Sequence, residues 1–280
     1  SLAVDNSFPD SVLRDTVICP YNQPDLAGAL IDKHANNLAA VIVEPILGSM
    51  GMIPATQDFL TILRDKTERH GVVLIFDEVI TLRNSIGGMQ EVHGIHPDLT
   101  CLGKIIGGGL PVGAVGGRAE LMQLFSPEAP RPVMHASTFS GNALTMAAGL
   151  AAMGCLQQED TDRINKLASR LRHGFNHAFE QSGIRGRAMG AGSLTNLHFL
   201  DQPANDARDA MQGMMAAGHM TRLLHLAMLT RGVMSASRLM YCTSTAMIEA
   251  DVDAAVTALN ESLAVLRPYI KKERSELLIP

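Results

Sequence analysis

Charged residues stand at the ends of several short apolar runs in this sequence. Glu44, the pair Asp77 and Glu78, and Lys104 each follow such a run, and unbroken apolar runs of this length are typical of buried strands in a parallel sheet. Parallel strands end at one edge, where open α/β sheets bind ligands. We therefore expect these side chains to share a site, although any one of them alone could equally be a surface charge at a strand end. An unpaired Asp77 would be costly to desolvate, so we expect it to have a cationic partner.

Lys104 has the surroundings of a reactive amine. It lies in the segment LGKIIGGGLP over residues 102–111, between apolar side chains and glycines. Apolar neighbours remove water from an amine and favour the neutral form that attacks aldehydes, and glycines let a flat ligand approach the main chain. A phosphate-binding loop would need Ser or Thr directly after the lysine, where Ile105 stands, so that alternative fails.

Pyridoxal phosphate accounts for Lys104 and Asp77 together. This cofactor requires an amine that bonds to its aldehyde, a carboxylate that keeps its ring nitrogen protonated, and donors for its phosphate. Lys104 and Asp77 provide the first two, and the lysine amine, once released, can move the proton on the substrate's Cα as acid and base. The sequence therefore predicts a pyridoxal-phosphate enzyme with Lys104 as its catalytic residue.

The order of predicted helices and strands differs between the two parts of the chain, and this difference divides it into two predicted domains. In residues 1–152, apolar periodicity predicts an opening strand over 15–18, helices over 25–34, 56–66, 118–125 and 142–157, and buried strands over 38–43, 72–76 and 99–102. This alternation is typical of an α/β domain with a mostly parallel sheet. Residues 153–280 read as a smaller α+β domain, with helices over 160–181, 207–230 and 249–266 and strands near 194–199 and 232–241.

Composition narrows the class of protein. The 280 residues are 46% apolar and 18% charged, which is typical of a folded globular chain, and the net charge of −5 argues against nucleic acid as the main partner. Four widely spaced cysteines without a C-x-x-C pair argue against a zinc site and suit a reducing cytoplasm. No run is long enough for a membrane span, no signal peptide is visible, and no histidine spacing predicts a metal site.

Four segments carry a resemblance to a known family. They are EPILGSMGMIP (residues 44–54), LIFDEVIT (74–81), PDLTCLGKIIGGGLPVGAVGGR (97–118) and STFSGNALTMAAG (137–149). In order and spacing they closely resemble the class III, or omega, pyridoxal-phosphate aminotransferases, and within that family they are similar to glutamate-1-semialdehyde aminomutase. The resemblance implies a fold type I transferase, here with an incomplete major domain and a small C-terminal domain.

The resemblance also assigns roles to single residues. Lys104 would form the Schiff base with the cofactor, Asp77 would pair with the ring nitrogen, and Val79 would cover one ring face. Ser137 and Thr138 would bind the phosphate from the neighbouring subunit of a homodimer, and Glu44 would lie near cofactor and substrate. For Thr138 the alternative is a cap on the helix near residue 142, although Ser140 suits that role better.

The sequence departs from the family pattern at several positions, and these departures leave alternatives open for the function. After Thr81 the chain is one residue shorter than the pattern, which makes Arg83 a candidate substrate residue, and residues 235–241 differ from the aminomutase. The family's Ser-Gly-Thr phosphate turn is absent, so the chain resembles the C-terminal two-thirds of a longer enzyme.

Three interpretations follow for the reaction. The first is amino transfer between an amino acid or amine and a keto acid or aldehyde, both small molecules. The second is the aminomutase itself, and the third is a catalytically silent truncated remnant. A dinucleotide oxidoreductase is a distant alternative, because G-x-G-x-x-G after the first strand is absent.

Overall fold

The computed structural model describes residues 9–279. Its strands are β1 (Ala40–Val43), β2 (Ile46–Leu47), β3 (Ile53–Pro54), β4 (Val73–Asp77), β5 (Leu99–Gly103), β6 (Gly113–Gly117), β7 (Arg187–Met189), β8 (Leu194–His198) and β9 (Met240–Cys242). Its α-helices are α1 (Asp10–Arg14), α2 (Pro24–His34), α3 (Gln57–His70), α4 (Gly88–His93), α5 (Ala119–Met122), α6 (Ala143–Gly154), α7 (Gln158–Ser182), α8 (Ala207–Ala217), α9 (Met220–Leu229) and α10 (Glu249–Glu273). Short 3₁₀ turns cover Thr81–Asn84, Lys104–Gly107, Gln123–Phe125 and Ser275–Leu277.

The main sheet has the strand order β1-β4-β5-β6. The first three strands run parallel, and β6 pairs antiparallel with β5. The register places Val43 opposite Phe76 and Asp77 opposite Cys101. The carboxyl ends of β1, β4 and β5 therefore meet at one edge, which confirms the α/β fold with a mostly parallel sheet.

Helices α2 and α3 cover one face of this sheet. The fully buried side chains of Phe59, Leu60 and Leu63 on α3 pack against Leu74 and Phe76 of β4. Local signals set the bounds of α3 as expected. The Thr56 side chain accepts a hydrogen bond from the Phe59 amide, and Gly71 ends the helix with a φ of 65°, a conformation that favours glycine.

Helix α6 packs directly on the turn that follows β5. A Cβ added to Gly149 would lie 2.1 Å from the Ile106 carbonyl oxygen, so the two backbones are in contact. On its other side α6 exposes Leu144 and Leu150, whose side chains are 74% and 78% accessible. The helix that contacts the Lys104–Gly107 turn thus also carries an exposed apolar surface.

The C-terminal part has its own sheet and core. Strands β7, β8 and β9 form an antiparallel sheet, and α7 and α10 contribute Phe175, Phe179, Leu259 and Leu263 to its buried cluster. This agrees with the α+β arrangement of helices and strands predicted for residues 153–280. The domain boundary predicted after residue 152 falls in the last turn of α6, and it stays a prediction.

Several predicted elements differ from the structure. No strand forms over residues 15–18. Helix α1 precedes that segment instead, with Pro9 at its N-cap position and Asp10 in its first turn. The helix expected over residues 207–230 is two helices, α8 and α9, since Gly218 takes a backbone conformation that ends α8. The strand expected over 232–241 is confined to β9.

The C-terminal helix and the cap of α6 also differ from expectation. Helix α10 continues beyond the predicted end, through Pro268 to Glu273. Helix α6 is capped by Asn142 rather than Ser140, because the Asn142 side chain accepts hydrogen bonds from the amides of Leu144 and Thr145.

Three further observations concern residues 9–279 only. None of their helices is long and apolar enough to cross a membrane. Their cysteines are free. No group of three or more His, Cys, Asp or Glu side chains in this part is arranged to hold a metal ion.

Candidate active site

Glu44 directly follows β1 at the carboxyl edge of the sheet. Its Oε2 accepts a hydrogen bond of 3.0 Å from the Gly48 amide, and its backbone carbonyl accepts one of 2.8 Å from the Tyr21 hydroxyl. Burial raises the pKa of the Glu44 carboxyl, and the nearby charge of Asp77 raises it further, whereas the Gly48 amide and the charge of Lys104 lower it. Glu44 therefore lies within electrostatic range of both residues predicted to share its site.

Asp77 is the last residue of β4 and is half-buried. Its Oδ1 accepts a hydrogen bond of 3.1 Å from the Val79 amide. Within residues 9–279 it forms no salt bridge, so the cationic partner expected from the sequence is not a side chain of the described part. A half-buried carboxylate with this single amide donor fits a protonated ring nitrogen, which would supply the missing positive charge.

Lys104 opens the 3₁₀ turn that follows β5, and its side chain is exposed. Its φ of 48° is in the left-handed region, which few residues other than glycine adopt and which is enriched at functional sites. Cys101, three residues earlier, pairs with Asp77 in the sheet. At about 3.3 Å per residue, the Lys104 backbone lies roughly 10 Å beyond the level of Asp77 in the direction of the strands.

Val79 forms an apolar surface next to Lys104. A Cβ added to Gly103 would lie 3.1 Å from Val79 Cγ1, so the valine side chain covers the residue that precedes the lysine. A larger residue at position 103 would displace Val79. The partly accessible Val79 side chain thus offers an apolar contact beside Lys104.

Ser137 and Thr138 lie on the surface in the loop before α6. The Ser137 amide donates a hydrogen bond of 3.0 Å to Ser140 Oγ, which also bonds to Ser137 Oγ at 3.3 Å. The described chain does not bring these residues together with Asp77 and Lys104 through any hydrogen bond. Their exposure is compatible with a contact to a second subunit.

Arg83 contacts the C-terminal part of the chain. Its Nε donates a hydrogen bond of 2.8 Å to Ser193 Oγ, and its Nη2 donates to the Thr243 carbonyl. The neighbouring Asn84 side chain accepts hydrogen bonds from the amide and hydroxyl of Ser193. These bonds join the two parts of the chain and use only two of the N–H donors of Arg83. A substrate contact of Arg83 stays a prediction.

The sequence predicts that Glu78 shares this site, but its side chain is fully buried and accepts hydrogen bonds from Thr81 Oγ1 and the Met89 amide, in the turn and helix that follow β4. Its side chain is 0% exposed, whereas those of Asp77 and Val79 on either side are partly accessible. Strand alternation was the available signal, since Leu74, Phe76 and Glu78 occupy every second position and are all buried.

The residues that the described chain brings together fit half of a pyridoxal-phosphate site. Lys104 provides an accessible amine, Asp77 a carboxylate without an ion-pair partner, and Val79 with Gly103 an apolar surface. Two charges of opposite sign on adjacent strand ends can hold and polarise a flat, charged ring. The candidate phosphate donors, Ser137 and Thr138, are exposed in the described part of the chain.

Comparison with known proteins shows which family and which curated proteins this chain is similar to. Residues 15–261 match the family model for aminotransferase class-III. A curated glutamate-1-semialdehyde 2,1-aminomutase from Thermomicrobium roseum is 40% identical over 259 residues, which cover 91% of this chain and 59% of that protein.

Solved structures show the same likeness. An omega-transaminase from Sphaerobacter thermophilus superposes with a TM-score of 0.88 at 41% identity, over 94% of this chain and 60% of that one. A β-phenylalanine aminotransferase from Variovorax paradoxus superposes with a TM-score of 0.81 at 34% identity, over 94% and 59% of the two chains. The chain thus spans 59% or 60% of the length of each of these three relatives.

Proposed function

This chain belongs to the class-III aminotransferase family, and from that premise we propose that the protein moves an amino group between an amino acid or amine and a keto acid or aldehyde, with Lys104 as its catalytic residue. The observation that carries the proposal is the placement of Lys104 and Asp77 at the ends of adjacent parallel strands, with Val79 covering the residue next to the lysine. Family members use pyridoxal phosphate, and binding of this cofactor by the present chain is part of the proposal.

Each residue has a defined task in this reaction. The cofactor, when bound, supplies an electron-withdrawing ring that accepts the electron pair left when the substrate loses its Cα proton. Asp77 holds a proton at the ring nitrogen, and Val79 excludes water from one face of the ring. The Lys104 amine would take the proton from the substrate's Cα, hold it at Nζ and deliver it to the carbon on the other side of the transferred nitrogen. Glu44 lies at the same edge of the sheet, within electrostatic range of Lys104 and Asp77.

The proposal includes a homodimer in the cytoplasm. Ser137 and Thr138 are exposed in the loop that leads into α6, and the neighbouring surface of α6 is apolar and accessible. A second copy seated on this surface would bring the Thr138 hydroxyl to the phosphate of the other subunit. The free cysteines and the absence of a membrane-spanning helix among residues 9–279 agree with this location.

The curated relative's name favours a second candidate, the aminomutase reaction itself. A mutase returns the amino group to the same molecule, whereas an aminotransferase needs a separate acceptor. Conversion of glutamate-1-semialdehyde without any added keto acid would favour the mutase. Turnover of amines or β-amino acids that depends on an added keto acid would favour the aminotransferase, as the names of the similar solved structures suggest.

The decisive experiment is a cofactor titration of the wild-type chain and Lys104→Ala. We expect wild type to develop the visible absorbance of covalently held pyridoxal phosphate, and the variant to lack it, because alanine has no amine. Lys33→Ala is the matched control, since Lys33 is an exposed lysine on α2. A wild-type chain that takes up no cofactor, or that shows no amino transfer above free cofactor, would favour the silent remnant.

A further inference from the structure

Glu78 is a fully buried carboxylate that the proposed chemistry does not use. It is 0% exposed, and within residues 9–279 no cationic side chain pairs with it. A buried carboxylate is costly unless hydrogen bonds replace its lost water. The local structure must therefore compensate for it in another way.

The compensation comes from the turn and helix that follow β4. Glu78 Oε2 accepts hydrogen bonds from Thr81 Oγ1 at 2.9 Å and from the Met89 amide at 2.7 Å. Oε1 accepts from the Gln90 amide at 3.1 Å and from the Gln90 side chain at 3.3 Å. Every partner can donate, which is the arrangement that an ionised, acceptor-only carboxylate requires.

The backbone closes tightly around this carboxylate at Gly88. Gly88 has a φ of 73°, and a Cβ placed there would lie 2.5 Å from Glu78 Oε1. Both the conformation and the lack of space require glycine. The segment from residue 79 to residue 90 thus closes around the Glu78 side chain, while Ser85 and Gly87 at its outer part bind the exposed Glu91 carboxylate.

This arrangement fixes the two strand-end residues that face the site. The Glu78 amide donates a hydrogen bond of 2.9 Å to the Cys101 carbonyl, and the Gln90 side chain donates one of 3.3 Å to Thr100 Oγ1. Residue 78 is therefore tied to β5, the strand that leads to Lys104. Asp77 and Val79, its chain neighbours, are held relative to that strand by the same bonds.

We propose that Glu78 is a positioning residue: its buried carboxylate holds the 79–90 turn so that Asp77 and Val79 face the Lys104 end of β5. The expected effect of Glu78 on cofactor binding rests on the proposed function, whereas its effect on the positions of Asp77 and Val79 does not. Glutamine at position 78 would place an NH₂ group among donors, so at least one hydrogen bond would be lost and the turn would loosen.

The test measures hydrogen exchange of single amides by NMR in the cofactor-free chain. We expect Glu78→Gln to accelerate exchange of the Val79 amide about tenfold, which corresponds to about 1.4 kcal/mol. This amide is bonded to Asp77 and not to Glu78, so its exchange reports positioning. Thr81→Val, nearly isosteric, removes one donor and should accelerate the same amide about threefold, which keeps the test available if Glu78→Gln does not fold.

Two control variants separate positioning from general destabilisation. Glu91→Gln alters an exposed carboxylate that binds Gly87 in the same loop, and Asp98→Asn alters a carboxylate at the opposite edge of the sheet. Neither should accelerate exchange at Val79 selectively. An unchanged Val79 amide in Glu78→Gln or, failing that variant, in Thr81→Val would overturn the inference, as would equal acceleration in Asp98→Asn.

A second arm uses pyridoxal phosphate as the probe. Glu78→Gln and Gly88→Ala should each raise its Kd about tenfold, because both displace the turn. If the variants bind as tightly as wild type, the inference is wrong even where wild type binds well. If wild type binds no cofactor, the proposed function fails for this chain, and the exchange experiment alone decides the role of Glu78.

Discussion

At the scale of single residues, Asp77 is the most direct test of the cofactor chemistry. We expect Asp77→Asn to fold normally and to lose about 100-fold or more in kcat, because a neutral amide does not hold the ring nitrogen protonated. Steady-state kinetics with circular dichroism as the folding control measures this. Asp65→Asn, on α3, is the matched control with no expected effect. Near-normal turnover in Asp77→Asn would remove the residue from its assigned role.

Single residues also show which features of the site could be predicted from the sequence. Apolar runs ending in Asp77 and Lys104 were enough to predict that both side chains meet at one sheet edge, because strand direction alone brings them there. The bonds of Arg83 were not predictable, since its partner Ser193 lies 110 residues away in the chain. The burial of Glu78 follows from alternation, but its partners come from a turn whose shape depends on Gly88.

At the scale of elements, Asp98 joins the starts of several elements at the amino edge of the sheet. Its carboxylate accepts hydrogen bonds from the Leu74 amide at 2.8 Å, from Arg64 at 3.2 Å and from Arg118 at 3.0 Å. Burial alone raises the pKa of Asp98, but the Leu74 amide and the two guanidinium groups outweigh burial and lower it below its usual value. The charged form is therefore the one that stabilises the fold.

We expect Asp98→Asn to lower the free energy of unfolding by about 2 kcal/mol at neutral pH. A lowered pKa in the folded state means that this stabilisation is complete above the unfolded pKa, near about 3.9, and is lost as pH falls through the folded value. Thermal unfolding at a series of pH values measures it. The wild-type and variant curves should stay apart down to about pH 4 and converge below it. A difference that stays constant well below about pH 4 would contradict the assignment.

Elements with local end signals were the best predicted. The Thr56 cap and Gly71 stop bound α3 at positions that the sequence indicates. The break between α8 and α9 depends on the conformation of Gly218, and the cap of α6 depends on which of several polar residues is nearest the helix, which proved to be Asn142. These helix ends depend on tertiary packing, about which the periodicity of apolar residues carries no information.

At the scale of the whole molecule, the surface of α6 links assembly to the site. Leu144 and Leu150 expose most of their side chains, and exposed apolar clusters of this kind are typical of protein interfaces. The same helix contacts the Lys104–Gly107 turn through Gly149 and Ile106. A partner that covers α6 would therefore also fix the turn that begins with Lys104.

We expect the chain to sediment as a dimer and Leu150→Glu to shift it to monomer, because a charge buried in an apolar interface is strongly unfavourable. If Thr138 contacts the phosphate of the other subunit, the monomer should also bind pyridoxal phosphate about tenfold more weakly, a loss of about 1.4 kcal/mol. Leu26→Glu, at an exposed leucine of α2, is the control and should change neither property. Sedimentation velocity and cofactor titration on the same samples separate the two effects. A Leu150→Glu variant that stays dimeric would move the interface away from α6, and a monomer with full cofactor affinity would exclude a contribution from the partner subunit's loop.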